Sequence, residues 1–122
     1  MIDPSSFKNV RLHGGFVIAD LQFTAAPMLD ALDREAVAQT RVIGREFRLL
    51  IQAGLSEREL SISLYHEILE AATVGSWPPP ASVMEFNEGD FENAAQTAHE
   101  KWGDATPERL NLMLQSYGFR EE

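Results

Sequence analysis

Residues 47–70 read FRLLIQAGLSERELSISLYHEILE, and the way this stretch is parsed decides the fold. Phe47, Leu49, Leu50 and Ile51 favour a strand, with a helix as the alternative for so short an apolar run. Ala53-Gly54-Leu55 then breaks the chain. Ser56 followed by Glu59 has the spacing of a capping box, in which the serine hydroxyl and the glutamate each satisfy a free N–H at the helix start. Leu60, Leu64, Ile68 and Ala71/Ala72 lie on one helical stripe, widened by Tyr65 and Leu69. The spacing predicts a helix that ends near Val74-Gly75.

Working outward, Trp77-Pro78-Pro79-Pro80 cannot be helical and predicts a rigid turn packed by one indole. A further helix is expected from Asn87–Asp90 through Phe91, Ala94, Ala95, Ala98 and Trp102, stopped by Gly103. Thr106-Pro107-Glu108 opens the last helix, which reaches Tyr117 and is ended by Gly118. On the other side, Pro27 to Gln39 places Met28, Leu29, Leu32, Ala36 and Val37 at helical spacing. Val10 to Phe23 has two apolar runs around Gly14-Gly15, as a hairpin or bent strand would. Residues 1–6 read as a leader with little structure. Residues 1–122 thus form one α+β domain, with a small sheet of two to four strands packed against three to four helices.

Composition narrows the functional classes. The chain has 122 residues, 19 acids against 10 bases and a net charge of −9, and this excess argues against nucleic-acid or anionic-membrane binding. It has no cysteine, which excludes disulfides, thiolate metal sites and cysteine nucleophiles. No apolar run approaches the roughly 18 residues of a membrane span, and no basic-then-apolar leader opens the chain, so a cytoplasmic protein is expected. Gly14-Gly15 lacks the context of a phosphate-binding loop, and no serine sits in a Gly-x-Ser-x-Gly elbow.

The acidic excess is concentrated. Glu59, Glu67, Glu70, Glu85, Glu88, Asp90, Glu92 and Glu100 lie in one window with His66 and His99 and with no lysine or arginine. Carboxylates gathered without partners repel one another, raise each other's pKa or require a cation. Within the window, His66 and Glu70 are four apart and share a helix face, with Glu67 beside them. An ordinary solvated face, with His66 and Glu70 as a helix-stabilising pair, accounts for the same letters. His99, near a helix C-terminus, reads as structural, and His13 reads as an exposed turn residue.

His66-Glu67-Ile68-Leu69-Glu70, following a strand at Phe47–Ile51, resembles the HExxH helix of a minimal zincin-like metallopeptidase. Glu70 here replaces the second histidine, giving a degenerate HExxE motif. Asn87-Glu88 resembles the later Asn-Glu pair of the gluzincins. Phe91-Glu92-Asn93-Ala94-Ala95 is similar to the later helix of ImmA/IrrE-type domains. The resemblance implies a zincin-like core with a divalent metal (zinc, or manganese or iron) held by His66, Glu70 and either Glu88 or Glu92. It also implies that Glu67 is the catalytic general base and that the substrate or partner is a peptide or protein. The alternative is a non-catalytic acidic interaction or regulatory module that presents negative charge to a basic partner. Oligomeric state is left open.

Overall fold

The computed structural model describes residues 2–29 and 35–120. Strands β1 (Val10–Arg11), β2 (Val17–Thr24), β5 (Ala38–Ile43) and β6 (Glu46–Gln52) form a sheet in the order β1-β2-β6-β5. β1 and β5 run antiparallel to their neighbours, whereas β2 and β6 are parallel. A separate two-stranded ladder joins β3 (Met28–Leu29) to β4 (Glu35–Ala36). Helices α1 (Glu57–Val74), α2 (Glu88–Trp102) and α3 (Pro107–Ser116) complete the α+β fold. Among the described residues, no helix is long and apolar enough to cross a membrane.

The sheet buries one face through simple alternation. In β6, Phe47, Leu49 and Ile51 are buried while Glu46, Arg48, Leu50 and Gln52 are not, which is the period of two expected of a strand. β2 departs from that period, because its buried Ile18 and Leu21 are three residues apart. A register shift against β6 lies between Ile18 and Asp20, so Ala19 is the extra residue that returns Leu21 to the core face. β5 turns into β6 through Gly44-Arg45, where Gly44 has φ +62° and a side chain would be strained.

The helices begin where the sequence signals them. Ser56 and Glu59 form a reciprocal capping box at α1, and Asn87 and Asp90 form another at α2. The Thr106 hydroxyl accepts from the Arg109 N–H at the start of α3, with Pro107 in the first turn. α1 buries Leu60, Leu64, Tyr65, Ile68, Leu69, Ala71 and Ala72, while α2 buries Phe91, Ala94, Ala95 and Ala98. Alanines at that spacing allow two helices to approach closely, and α1 and α2 are the most extensively packed helix pair.

Three expectations are corrected. Pro27 to Gln39 is not a helix: β3, β4 and the start of β5 occupy its described part, and Leu32 lies outside the described residues. Backbone pairing of Ala38–Ile43 with β6 satisfies a strand edge that would otherwise be bare, and this outweighs the local helical spacing. Of the leader expected over residues 1–6, the described part, residues 2–6, is not loose: Pro4–Phe7 is a 3-10 turn capped by Asp3, with Ile2 and Phe7 in the core. The Ile2 N–H donates to Glu57 at 2.9 Å, fixing that turn to α1. Trp77 does not pack the proline turn and stands 95% exposed.

Tyr65 fastens α1 to the loop after α2, its hydroxyl donating to the Gly103 carbonyl at 2.9 Å. Burial pushes its pKa up from 10.0 to about 12. Because the folded value exceeds the unfolded one, this contribution to stability is complete below pH 10 and is lost as pH rises through about 12. The wild type should therefore lose on the order of 2 kcal/mol more than Tyr65→Phe between pH 9 and 12. Urea midpoints for the two proteins across that range check it, and parallel declines would contradict it.

Candidate metal centre

α1 and α2 bring one imidazole and four carboxyl groups to one cleft of about 880 Å³. His66 sits in the middle of α1, with Glu70 one turn further on. Glu88 opens α2 and Glu92 lies one turn into it, on the side that faces His66. His66 Nε2 is 3.5 Å from Glu70 Oε2 and 3.2 Å from Glu88 Oε2. Its Nδ1 is 2.9 Å from Glu92 Oε1, a hydrogen bond in which only the ring can donate. Glu92 Oε2 in turn accepts from the Gln96 amide at 3.2 Å. Phe91 lies against the imidazole, with ring centroids 6.2 Å apart.

One ligand atom each from His66, Glu70 and Glu88 lies within 4.8 Å of the others, so these three can hold a metal ion together. Glu70 Oε2 is buried and has no hydrogen-bond partner among the described residues. A buried carboxylate oxygen without a donor is costly unless a cation or proton meets it. Glu92 faces the other ring nitrogen. It stands where a carboxylate fixes the tautomer of a metal-binding histidine and leaves Nε2 with its lone pair outward.

Glu67 lines the same cleft but turns toward the sheet, where its Oε1 accepts from the Thr40 hydroxyl at 2.7 Å. Burial raises its pKa, partly offset by Thr40 and by the nearby His66. The imidazole opposite Glu70 draws that carboxyl down, whereas the facing Glu70 carboxyl, with burial adding, pushes Glu88 up. For His66, burial acts to lower the pKa. The carboxylates of Glu70, Glu92 and Glu67 more than offset it, and the value rises from 6.5 to about 9. Without a metal, the cluster therefore carries its own cation at neutral pH.

Two other acids of the window and its second histidine are engaged elsewhere. Glu59 and Asp90 serve the capping boxes of α1 and α2. His99 Nδ1 pairs with the buried Ser61 hydroxyl at 2.7 Å, and Ser61 accepts from the Ala105 N–H, so His99 holds the α2–α3 connection. His13 is half-buried rather than exposed: its ring meets the Phe119 carbonyl and its N–H donates to Asn111 at 2.8 Å. Two contributors escape a reading of the sequence. Gln96 lies four residues from Glu92, a spacing that could have flagged it. Thr40 carries no such signal, since only the pairing of β5 places it over α1. The chain matches no protein-family model, no curated protein and no solved structure.

In protein kept in chelator, the His66 ring should titrate near pH 9, as read from ring nitrogen shifts by NMR. Its folded value lies above the unfolded one, so its stabilisation is complete below pH 6.5 and is lost as pH rises through about 9. Glu92→Gln should move the midpoint down, and a His66 midpoint below 7 in the wild type would contradict the reading.

Proposed function

We propose that this chain is a zincin-like metal-dependent hydrolase with a peptide or protein substrate, its metal held by His66, Glu70 and Glu88. The observation that carries the proposal is the convergence of those three side chains from two helices, with the Glu70 Oε2 atom buried and without a hydrogen-bond partner among the described residues. The order of elements supports it as well: β6 precedes the helix bearing His66-Glu67-x-x-Glu70, and α2 brings the downstream acids back to it. One imidazole and two carboxylates form a donor set that suits manganese or iron(II) as well as zinc. Such an ion would polarise a scissile carbonyl and acidify a water molecule.

The chain's own residues divide the remaining work. Glu92, steadied by Gln96, holds the Nδ1 proton of His66 and directs Nε2 into the cleft. Glu67 is the general base: burial makes its carboxyl more basic than usual, and the Thr40 hydroxyl fixes its Oε1. Thr40 lies on β5, the edge strand of the sheet, so the base is positioned against the strand that borders the cleft. Val37 and Val74, both exposed, give the cleft apolar walls for a substrate side chain.

The charged imidazole favours a second reading. With His66 protonated, the cluster balances part of its own repulsion, as a non-catalytic acidic module would require. Metal titration separates the two. Untagged wild type should bind about one equivalent of zinc or manganese, by plasma mass spectrometry after dialysis, and release close to one proton near pH 8. His66→Ala and Glu70→Ala should abolish binding, and Glu92→Gln should weaken it about 10- to 100-fold. Glu67→Gln should retain the metal while cleavage of a quenched-fluorescent peptide library falls at least 100-fold. Less than a tenth of an equivalent at micromolar metal, unchanged in the variants, would leave the acidic module as the surviving reading.

A further inference from the structure

Two further surfaces stand open to solvent. One is a second cleft, of about 600 Å³, between the Trp77–Pro80 turn, the Gly14–Phe16 turn and the segment following α3. The other is the outer edge of β5. β5 ends the sheet order, so among the described residues β6 is its only strand neighbour. Ala38, Gln39, Thr40 and Val42 line the first cleft, which leaves that edge uncovered. Of the two surfaces, the edge has a residue pattern that specifies its occupant.

The backbone shows which groups are free. The Gln52 N–H donates to the Val37 carbonyl at 2.8 Å, and the ladder closes at its other end on Ile43 and Glu46, across the two-residue Gly44-Arg45 turn. Hydrogen-bonded pairs alternate along an antiparallel ladder, so Val37, Gln39, Arg41 and Ile43 direct their backbone groups at β6. The N–H and C=O groups of Ala38, Thr40 and Val42 therefore point away from the sheet. Natural sheets blunt such an edge with proline, bulges or charges. Residues 38–43 contain no proline or glycine, pair with β6 without a register shift and carry one charge, on Arg41.

The side chains along this edge are complementary to themselves. Val37 is 50% exposed and Ile43 54%, with Gln39 and Arg41 exposed between them. An antiparallel pairing centred on Thr40 sets Ile43 of one copy opposite Val37 of the other, and Arg41 opposite Gln39. On the face toward α1, Ala38 meets Val42 and Thr40 meets its counterpart. Two exposed apolar residues thereby leave water on each side of the two-fold axis. Centring the pair on Arg41 would instead set two like charges against each other.

We propose that two copies of the chain pair antiparallel through β5 in the Thr40-centred register, joining their sheets into one. Each hydrogen-bonded pair exchanges both of its N–H to C=O bonds, so the free groups of Ala38, Thr40 and Val42 are satisfied. A copy seated there also covers part of the first cleft, because Val37 and Thr40 line it. The pairing rests on the strand itself and does not require a metal ion.

Sedimentation equilibrium of the untagged wild type over a concentration series tests it. The interface is small, so a dissociation constant on the order of 10–100 µM is expected. Each chain carries a net charge of −9, so added salt should tighten the dimer by screening repulsion. Val42→Pro, which removes an outward N–H, should weaken the dimer about tenfold, as should Ile43→Lys. Val37→Glu should do the same, and combining it with Ile43→Lys in one chain should restore association, because the register sets those positions opposite each other. Leu112→Lys, at an exposed position on α3, should change it less than about twofold. Ile43 is exposed, so its variant remains informative if Val42→Pro fails to fold.

A monomer at every concentration up to about 1 mM would overturn the proposal. So would a dimer indifferent to Val42→Pro and Ile43→Lys, failure of the double substitution to restore it, or dissociation by salt. Open-ended oligomers would equally overturn it, since a two-fold pairing through one edge closes on itself.

Discussion

Ala94, Ala95 and Ala98 set the distance between α2 and α1, and the candidate centre depends on that distance. A carboxylate side chain reaches only a few ångströms from its helix, so Glu88 and Glu92 can face His66 only if the two axes are close. Small buried residues permit that approach, and larger ones would push the axes apart. Phe91 adds a second constraint by packing under the imidazole and against Phe86, which fixes how α2 is rotated about its own axis. The rotation aims Glu88 and Glu92 at the two nitrogens of one ring. Packing that involves no charged atom therefore determines the electrostatics.

Those electrostatics leave two stable solutions. At physiological pH the free cluster has a protonated imidazole among carboxylates, and Glu88 is raised by its neighbour Glu70. A divalent ion would replace the imidazole proton and meet both carboxylates at once, supplying two positive charges where the proton supplies one. The buried Glu70 Oε2 atom lies 3.5 Å from His66 Nε2 as an ion pair, so the same oxygen would meet the charged ring in one case and a metal ion in the other.

Much of this was legible in the residues. The capping box at Ser56, the helix start near Asn87, the stripe of α1 and the strand-favouring residues of β6 all show at short range, and all three helices formed where their signals lay. The acids without bases, together with the His66–Glu70 spacing, pointed to the helix face on which His66, Glu70 and Glu88 come together. What failed was non-local. Ala36 and Val37 sit in a helical pattern, yet the residues beyond them are drawn into β5 because β6 needs a partner along that edge. The roles of Glu88 and Glu92 were likewise undecidable in sequence: both lie on one face of α2, and only the rotation of that helix separates the Nε2 side from the Nδ1 side.

The same distinction between local and non-local causes bears on the two clefts. The first is built from regular elements, α1, α2 and β5, whose hydrogen bonds and packing hold the side chains at fixed spacing, as a coordinating site requires. The second is built from turns and the segment after α3, with a proline run supplying rigidity where secondary structure does not. A frame of regular elements holds side chains at fixed spacing in a way that turns do not, so the first cleft is the one whose geometry could meet the demands of coordination.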